Sequence, residues 1–138
     1  MFTFETVTKK RIELIVKTYL LTCHCEKVKI HLNLPNGLEN LRRCNCSICS
    51  RRNAVVASVD MESLTIVEGH DFISCYTFNT KTAKHYFCSH CGIYTHHQRR
   101  SKNDEFGFNI SCLEGVKIEE YADVAYLDGR DNHPSDLR

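Results

Sequence analysis

Three thiols crowd into the six residues Cys44-Asn45-Cys46-Ser47-Ile48-Cys49, and Arg51 and Arg52 follow directly. Three thiolates can ligate one zinc ion and leave its fourth tetrahedral position open, the ligand arithmetic of a catalytic rather than a structural zinc. Two further thiol pairs lie on either side. Cys23-His24-Cys25 sits on or beside a predicted strand, where alternate side chains share a face, so both sulfurs can reach one ion. Cys88-Ser89-His90-Cys91-Gly92 reads as a knuckle: C-x-x-C spacing lets a tight turn aim two thiolates at one metal, with Gly92 able to take a positive φ. Together Cys23, Cys25, Cys88 and Cys91 close a four-sulfur structural site that clips an early strand to a late one and offsets loop-closure entropy. Cys44, Cys46 and Cys49 then remain as a three-thiol site.

Other partitions compete with this one. A zinc ribbon could use Cys46, Cys49, Cys88 and Cys91, although the two C-x-x-C pairs lie much farther apart than the roughly 15 to 20 residues of a compact ribbon. A histidine could instead fill the open position, with His24, His85, His90, His96 and His97 as candidates. His96 and His97 are strand neighbours that face opposite sides, so at most one enters any one pocket. Of the two remaining thiols, Cys75 alternates with Tyr76 and Phe78 and reads as a small buried hydrophobe. Cys112, after Phe108-Asn109-Ile110-Ser111, is the better candidate to face a site.

The elements that must position these thiols are mostly short strands. Val28, Ile30, Leu32 and Leu34 alternate with period 2 and predict a half-buried strand ended by a turn at Pro35-Asn36-Gly37. Ile12–Leu21, Ala54–Val59, Leu64–Val67, Ile93–His97 and Phe106–Ile110 also read as strands, with a turn at Gly69. Phe72–Phe78 and Ala83–Phe87 predict a hairpin around the four-residue loop 79–82. Ser47 is placed to cap a helical turn running to Asn53. Val116–Ile118 is read as a further strand and Tyr121–Leu127 as strand or short helix, before turn and loop residues at 128–134. The pattern is mainly β with little helix.

Composition fits one domain at 18–138 behind an N-terminal extension, 1–17, of unassigned structure. The chain has 138 residues, 42% of them apolar and 25% charged, a size that supports one core. Nine cysteines, an odd number, favour metal ligation over a disulfide framework. Lys9, Lys10, Arg11, Glu13 and Lys17 interrupt any signal-like apolar run, so a reducing, cytoplasmic location is expected. A formal net charge of +1 argues against a nucleic-acid binder, and no stretch approaches the roughly 20 apolar residues of a membrane helix.

In order and spacing, the three thiol motifs, with Phe87 before Cys88, resemble the glutathione-dependent formaldehyde-activating enzyme (GFA) family, also called centromere protein V-like. Tyr76-Thr77-Phe78-Asn79-Thr80, Asn109-Ile110-Ser111-Cys112-Leu113-Glu114 and Leu127-Asp128-Gly129-Arg130 extend the likeness, which covers about Thr18 to Pro134. Tyr76 to Thr80 looks especially like the centromere protein V branch. The resemblance implies a fold of small coiled antiparallel β-sheets clipped by zinc, shared with a family of Rab-GTPase exchange chaperones. It also implies a structural zinc on Cys23, Cys25, Cys88 and Cys91 and a catalytic zinc on Cys44, Cys46 and Cys49. The implied activity is that of a carbon-sulfur lyase interconverting formaldehyde plus glutathione with S-hydroxymethylglutathione. Glu26 departs from the family pattern, which often has glycine after the first C-x-C.

On this reading the partner is a small thiol or aldehyde such as glutathione. Zinc can lower the pKa of a bound thiol or act as a Lewis acid on an aldehyde oxygen. Arg51 or Arg52 can steer a carboxylate-bearing thiol, and His24, His85, His96 or Tyr94 can serve as general acid or base. The alternative is a zinc-stabilised binding module without catalysis.

Overall fold

The structure is a computed structural model that describes residues 18–100, 102 and 104–129. The expectations for the extension 1–17, including the first part of the Ile12–Leu21 strand, and for the tail from Arg130 onward lie outside the described residues. The chain is mainly β, with ten strands in two sheets and one short helix among the described residues.

Strands β1 (Thr18–Thr22), β2 (Lys29–Asn33) and β5 (Leu64–Glu68) form a three-stranded sheet in the order β1-β2-β5, antiparallel throughout. The alternation read from the sequence places Val28, Ile30, Leu32 and Leu34 inside, and all four are buried. The second sheet holds β3 (Glu39–Cys44), β4 (Val56–Asp60), β6 (Ile73–Tyr76), β7 (Lys84–Cys88), β8 (Tyr94–Gln98), β9 (Glu105–Asn109) and β10 (Ala125–Leu127). Its order is β10-β3-β4-β9-β8-β7-β6. Every pair in it is antiparallel except β10 with β3, which run parallel. One core unites the two sheets: Leu21, Ile30 and Leu32 pack with Val55, Ala57, Phe108, Ile110 and Leu113. Burying each large aliphatic or aromatic side chain of this set contributes roughly 1.5–3 kcal/mol.

Four local expectations are corrected. The hairpin connection spans 77–83 rather than four residues, because Phe78 leaves the ladder and stacks on His85 with ring centroids 5.7 Å apart. Ser47 does not cap α1 (Cys49–Arg52): Ile48 occupies the N-cap in helical geometry with no side-chain cap bond, while the turn ends at Asn53 as anticipated, with Asn53 in the left-handed conformation. Val116–Ile118 is not a strand. A 3-10 turn at Ile118–Tyr121 follows instead, and Ile118, Tyr121 and Val124 reach the core at a three-residue spacing that suits it. Finally, Cys75 is exposed, because β6 is an edge strand whose last two residues, Cys75 and Tyr76, are left uncovered.

Candidate active site

Two thiol clusters form, with the membership that ligand counting favoured. The sulfurs of Cys23, Cys25, Cys88 and Cys91 lie within 4.8 Å of one another, and so do those of Cys44, Cys46 and Cys49. Cys46 and Cys49 stand apart from Cys88 and Cys91, so the ribbon pairing is not formed. The nine cysteines are free thiols.

The four-sulfur cluster joins the turn after β1 to the end of β7 and the knuckle beyond it. Its backbone is shaped for anionic sulfur. The Val28 amide donates to Cys23 Sγ at 3.3 Å and the Cys91 amide to Cys88 Sγ at 3.5 Å. Gly92 takes φ 81 and its amide donates to the Cys88 carbonyl at 2.7 Å, closing the knuckle. Glu26 sits at φ 65, a left-handed conformation that glycine adopts more readily. Cys23 and Cys88 are buried. Four thiols at these distances suit a tetrahedral, closed zinc site. Cys112 lies beside this cluster rather than the other: burial, reinforced by the Cys23 and Cys91 sulfurs, pushes its thiol up to about 12.

The three-sulfur cluster is built differently. Cys44 ends β3, Cys46 lies in the following turn and Cys49 opens α1. The Cys46 amide donates to Cys44 Sγ and the Cys49 amide to Cys46 Sγ, each at 3.4 Å. Hydrogen bonds among the sulfurs hold Cys44 below the usual thiol range and push Cys46 above it, so three thiolates need a cation to coexist. The donor set fits a zinc ion with one position left to another ligand, and the cluster includes no histidine nitrogen among the described residues.

This trio forms one wall of a cavity of about 320 Å³. Apolar side chains of Ile48, Val56, Phe78 and Leu127 line it beside four arginines, Arg42, Arg52, Arg99 and Arg100, with Asp128 as the acidic contributor. Arg52 contacts the trio directly. Its Nη2 donates to Cys49 Sγ at 3.4 Å, its Nη1 meets His85 Nδ1 at 3.3 Å, and its guanidinium lies 3.8 Å from the Tyr94 ring centroid. Arg51, by contrast, is exposed and binds the Ser47 carbonyl. Arg42 is buried and donates to Asn40 O and Ser58 Oγ, while Arg99 pairs with Glu105 at 2.6 Å.

Of the histidines named from sequence, His85 and His97 border the cavity, whereas His24 and His90 are exposed. His96 points the other way, stacked on Tyr86, as strand alternation requires. Burial, then the Arg52 and Arg100 charges, hold His85 at about 4. Burial, with Arg52 next, also keeps His97 well below the usual imidazole range. Tyr94 is raised by burial and stays a phenol, 2.6 Å from His97 Nδ1.

Sequence reasoning did not single out Arg42, Phe78, Arg99, Arg100 or Asp128 as site residues. For His97 and Arg99 a signal existed in their two-residue spacing at the end of β8. None existed for Arg42, whose place is set by pairing of β3 with β4.

A family model described as glutathione-dependent formaldehyde-activating enzyme matches residues 18–125. The chain is also similar to a Rhodobacter sphaeroides protein whose crystal structure came from a structural-genomics programme. The two share 47% identity with a TM-score of 0.74, over 78% of this chain and 98% of that one.

Proposed function

Because the chain belongs to the glutathione-dependent formaldehyde-activating enzyme family, we propose that it is a zinc-dependent carbon-sulfur lyase acting on a thiol-aldehyde adduct such as S-hydroxymethylglutathione. The observation that carries this reading is the convergence of Cys44, Cys46 and Cys49 on the wall of an arginine-bordered cavity. A zinc ion on these three sulfurs would supply Lewis acidity and lower the pKa of a substrate thiol.

The chain's own groups supply the rest. Arg52, donating to Cys49 Sγ, draws electron density from that thiolate and so limits the excess negative charge of a three-thiolate site. The arginine border attracts and orients a thiol carrying carboxylates. Ile48, Val56, Phe78 and Leu127 exclude water from the reacting end. Cys23, Cys25, Cys88 and Cys91 would hold a second, structural zinc, and free thiols of this kind suit a reducing compartment such as the cytoplasm. No helix among the described residues is long and apolar enough to cross a membrane.

The test pairs metal content with exchange kinetics. Wild type should carry about two zinc ions per chain, and the variant with Cys44, Cys46 and Cys49 all changed to Ser about one, by the ligand arithmetic of the two clusters. NMR exchange spectroscopy should show wild type, but not the variant, accelerating interconversion of formaldehyde plus glutathione with the adduct. Equal zinc in both proteins would overturn the site assignment. Two zinc ions with no acceleration would favour a binding module.

A further inference from the structure

His85 is 6% exposed, lines the cavity, and carries two ring nitrogens in unlike situations. At Nδ1 it meets Arg52 Nη1 at 3.3 Å. A guanidinium has donors and no acceptor, so Nδ1 must accept, and a neutral imidazole that accepts at Nδ1 carries its proton on Nε2. That Nε2 is buried and makes no hydrogen bond among the described residues. A buried N–H without a partner carries an uncompensated desolvation cost, and the residue that holds it lines the chamber beside the three-thiol cluster. Phe78 stacks on the ring with centroids 5.7 Å apart and His97 at 5.6 Å, so face-to-face packing leaves the imidazole little freedom to flip.

We propose that His85 is the cavity's fixed hydrogen-bond donor, locked by Arg52 in the Nε2–H tautomer, and that it donates to the oxygen on the carbon bonded to the substrate sulfur. The inference rests on the lyase reading for the identity of that oxygen. In the addition direction the thiolate sulfur forms a bond to the carbonyl carbon and the C=O π pair moves to oxygen. Nε2–H stabilises the resulting alkoxide, which takes its proton from water. In reverse, the hydroxyl loses its proton to hydroxide, the C–S pair returns to sulfur and the carbonyl re-forms. His85 keeps its proton throughout, so it is a catalytic donor and not a base. Arg52 acts through it as a positioning residue, bound at once to a cluster sulfur and to the imidazole. Loss of a comparable donor in other enzymes costs about 10²–10³-fold in rate.

The experiment uses zinc-loaded, ¹⁵N-histidine-labelled protein at pH 7, where long-range ¹H–¹⁵N spectra distinguish the tautomers. Wild-type His85 should be neutral with its proton on Nε2 alone, and Arg52→Met and Arg52→Lys should each mix the tautomers. Addition of glutathione alone should leave Nε2 unmoved, and subsequent formaldehyde should shift it. In exchange assays His85→Leu should lose about 10²-fold while His85→Gln, which keeps an N–H donor, should lose less than about 10-fold. An Nδ1–H or imidazolium ring, a shift of equal size with glutathione alone, or no shift with the adduct would overturn the inference, and adduct exchange that persisted would leave the lyase reading standing. The converse result, an adduct-induced Nε2 shift without acceleration, would support the His85 contact and overturn the lyase reading.

Discussion

His96 shows what burial alone does to a titratable group. It is 2% exposed, stacks on Tyr86 at 4.6 Å and meets Thr95 Oγ1 through Nδ1 at 2.9 Å. Desolvation lowers its pKa from 6.5 to about 4. A histidine with a depressed folded-state pKa contributes stability that is present above its unfolded value. That contribution is lost as pH falls through the window between 6.5 and about 4, because the unfolded chain then binds a proton the folded chain refuses. From pH 7 to pH 5 the loss should be about 2 kcal/mol. Urea unfolding of wild type and His96→Phe, which keeps the stack but cannot titrate, should therefore differ in pH dependence, with the variant flatter by about this amount. Parallel curves would show that the unfolded-state protonation of His96 does not govern acid stability. His85 differs in kind, since arginine charges add to burial in holding it neutral.

At the scale of elements, strand register decides which side chains meet. β8 and β9 pair with His97 opposite Gly107, and a Cβ on Gly107 would lie 2.4 Å from His97 Cε1 and 2.9 Å from Val56 Cγ1. Glycine is needed there for close approach, not for a special φ. Gly107→Ala should push the His97 ring away from Tyr94, at an overpacking cost of about 1–3 kcal/mol. The expected result is a lower unfolding midpoint and slower adduct exchange, and an unchanged midpoint would sink the argument. This pairing also explains what could be read from the sequence. The β2 alternation and the thiol motifs are local patterns, so the three-residue and two-residue spacings of Cys88/Cys91 and Cys23/Cys25 already carried their geometry. The cavity's other walls are non-local. Arg42 arrives through the pairing of β3 with β4, and Leu127 and Asp128 through the parallel pairing of β10 with β3. The Asn45 amide donating to Leu127 O, and the Asn45 side chain to Asp128 Oδ1, complete that attachment. No periodicity within residues 121–127 encodes a partner so far back in the chain. Phe78 escaped for a related reason: its apolar character fitted a strand, and only the stack on His85 takes it out of one.

For the molecule as a whole, the two clusters do unlike mechanical work. Cys44, Cys46 and Cys49 link residues that are already neighbours in sequence, whereas Cys25 and Cys88 meet across 63 residues, with Sγ atoms 3.7 Å apart. One member of that pair follows β1 of the three-stranded sheet and the other ends β7 of the seven-stranded sheet. A metal there would join the sheets through sulfur, and its binding would offset the entropy of closing so long a loop. The sheets also touch through the shared core, and Leu21 of β1 bridges Leu113 in the segment after β9, contacts set within a total stability of only about 5–15 kcal/mol. Apparent zinc binding energies for structural sites are of the same size, about 10–16 kcal/mol. Cys88→Ser and Cys46→Ser each replace a buried sulfur, so their difference isolates the clip. Calorimetry with metal analysis should find that Cys88→Ser loses zinc together with at least about 10 °C of melting temperature, the effect of a few kcal/mol in a chain of this size. Cys46→Ser should lose the other zinc while keeping a transition within a few degrees of wild type. Equal shifts would mean that the sheets are held by their core alone.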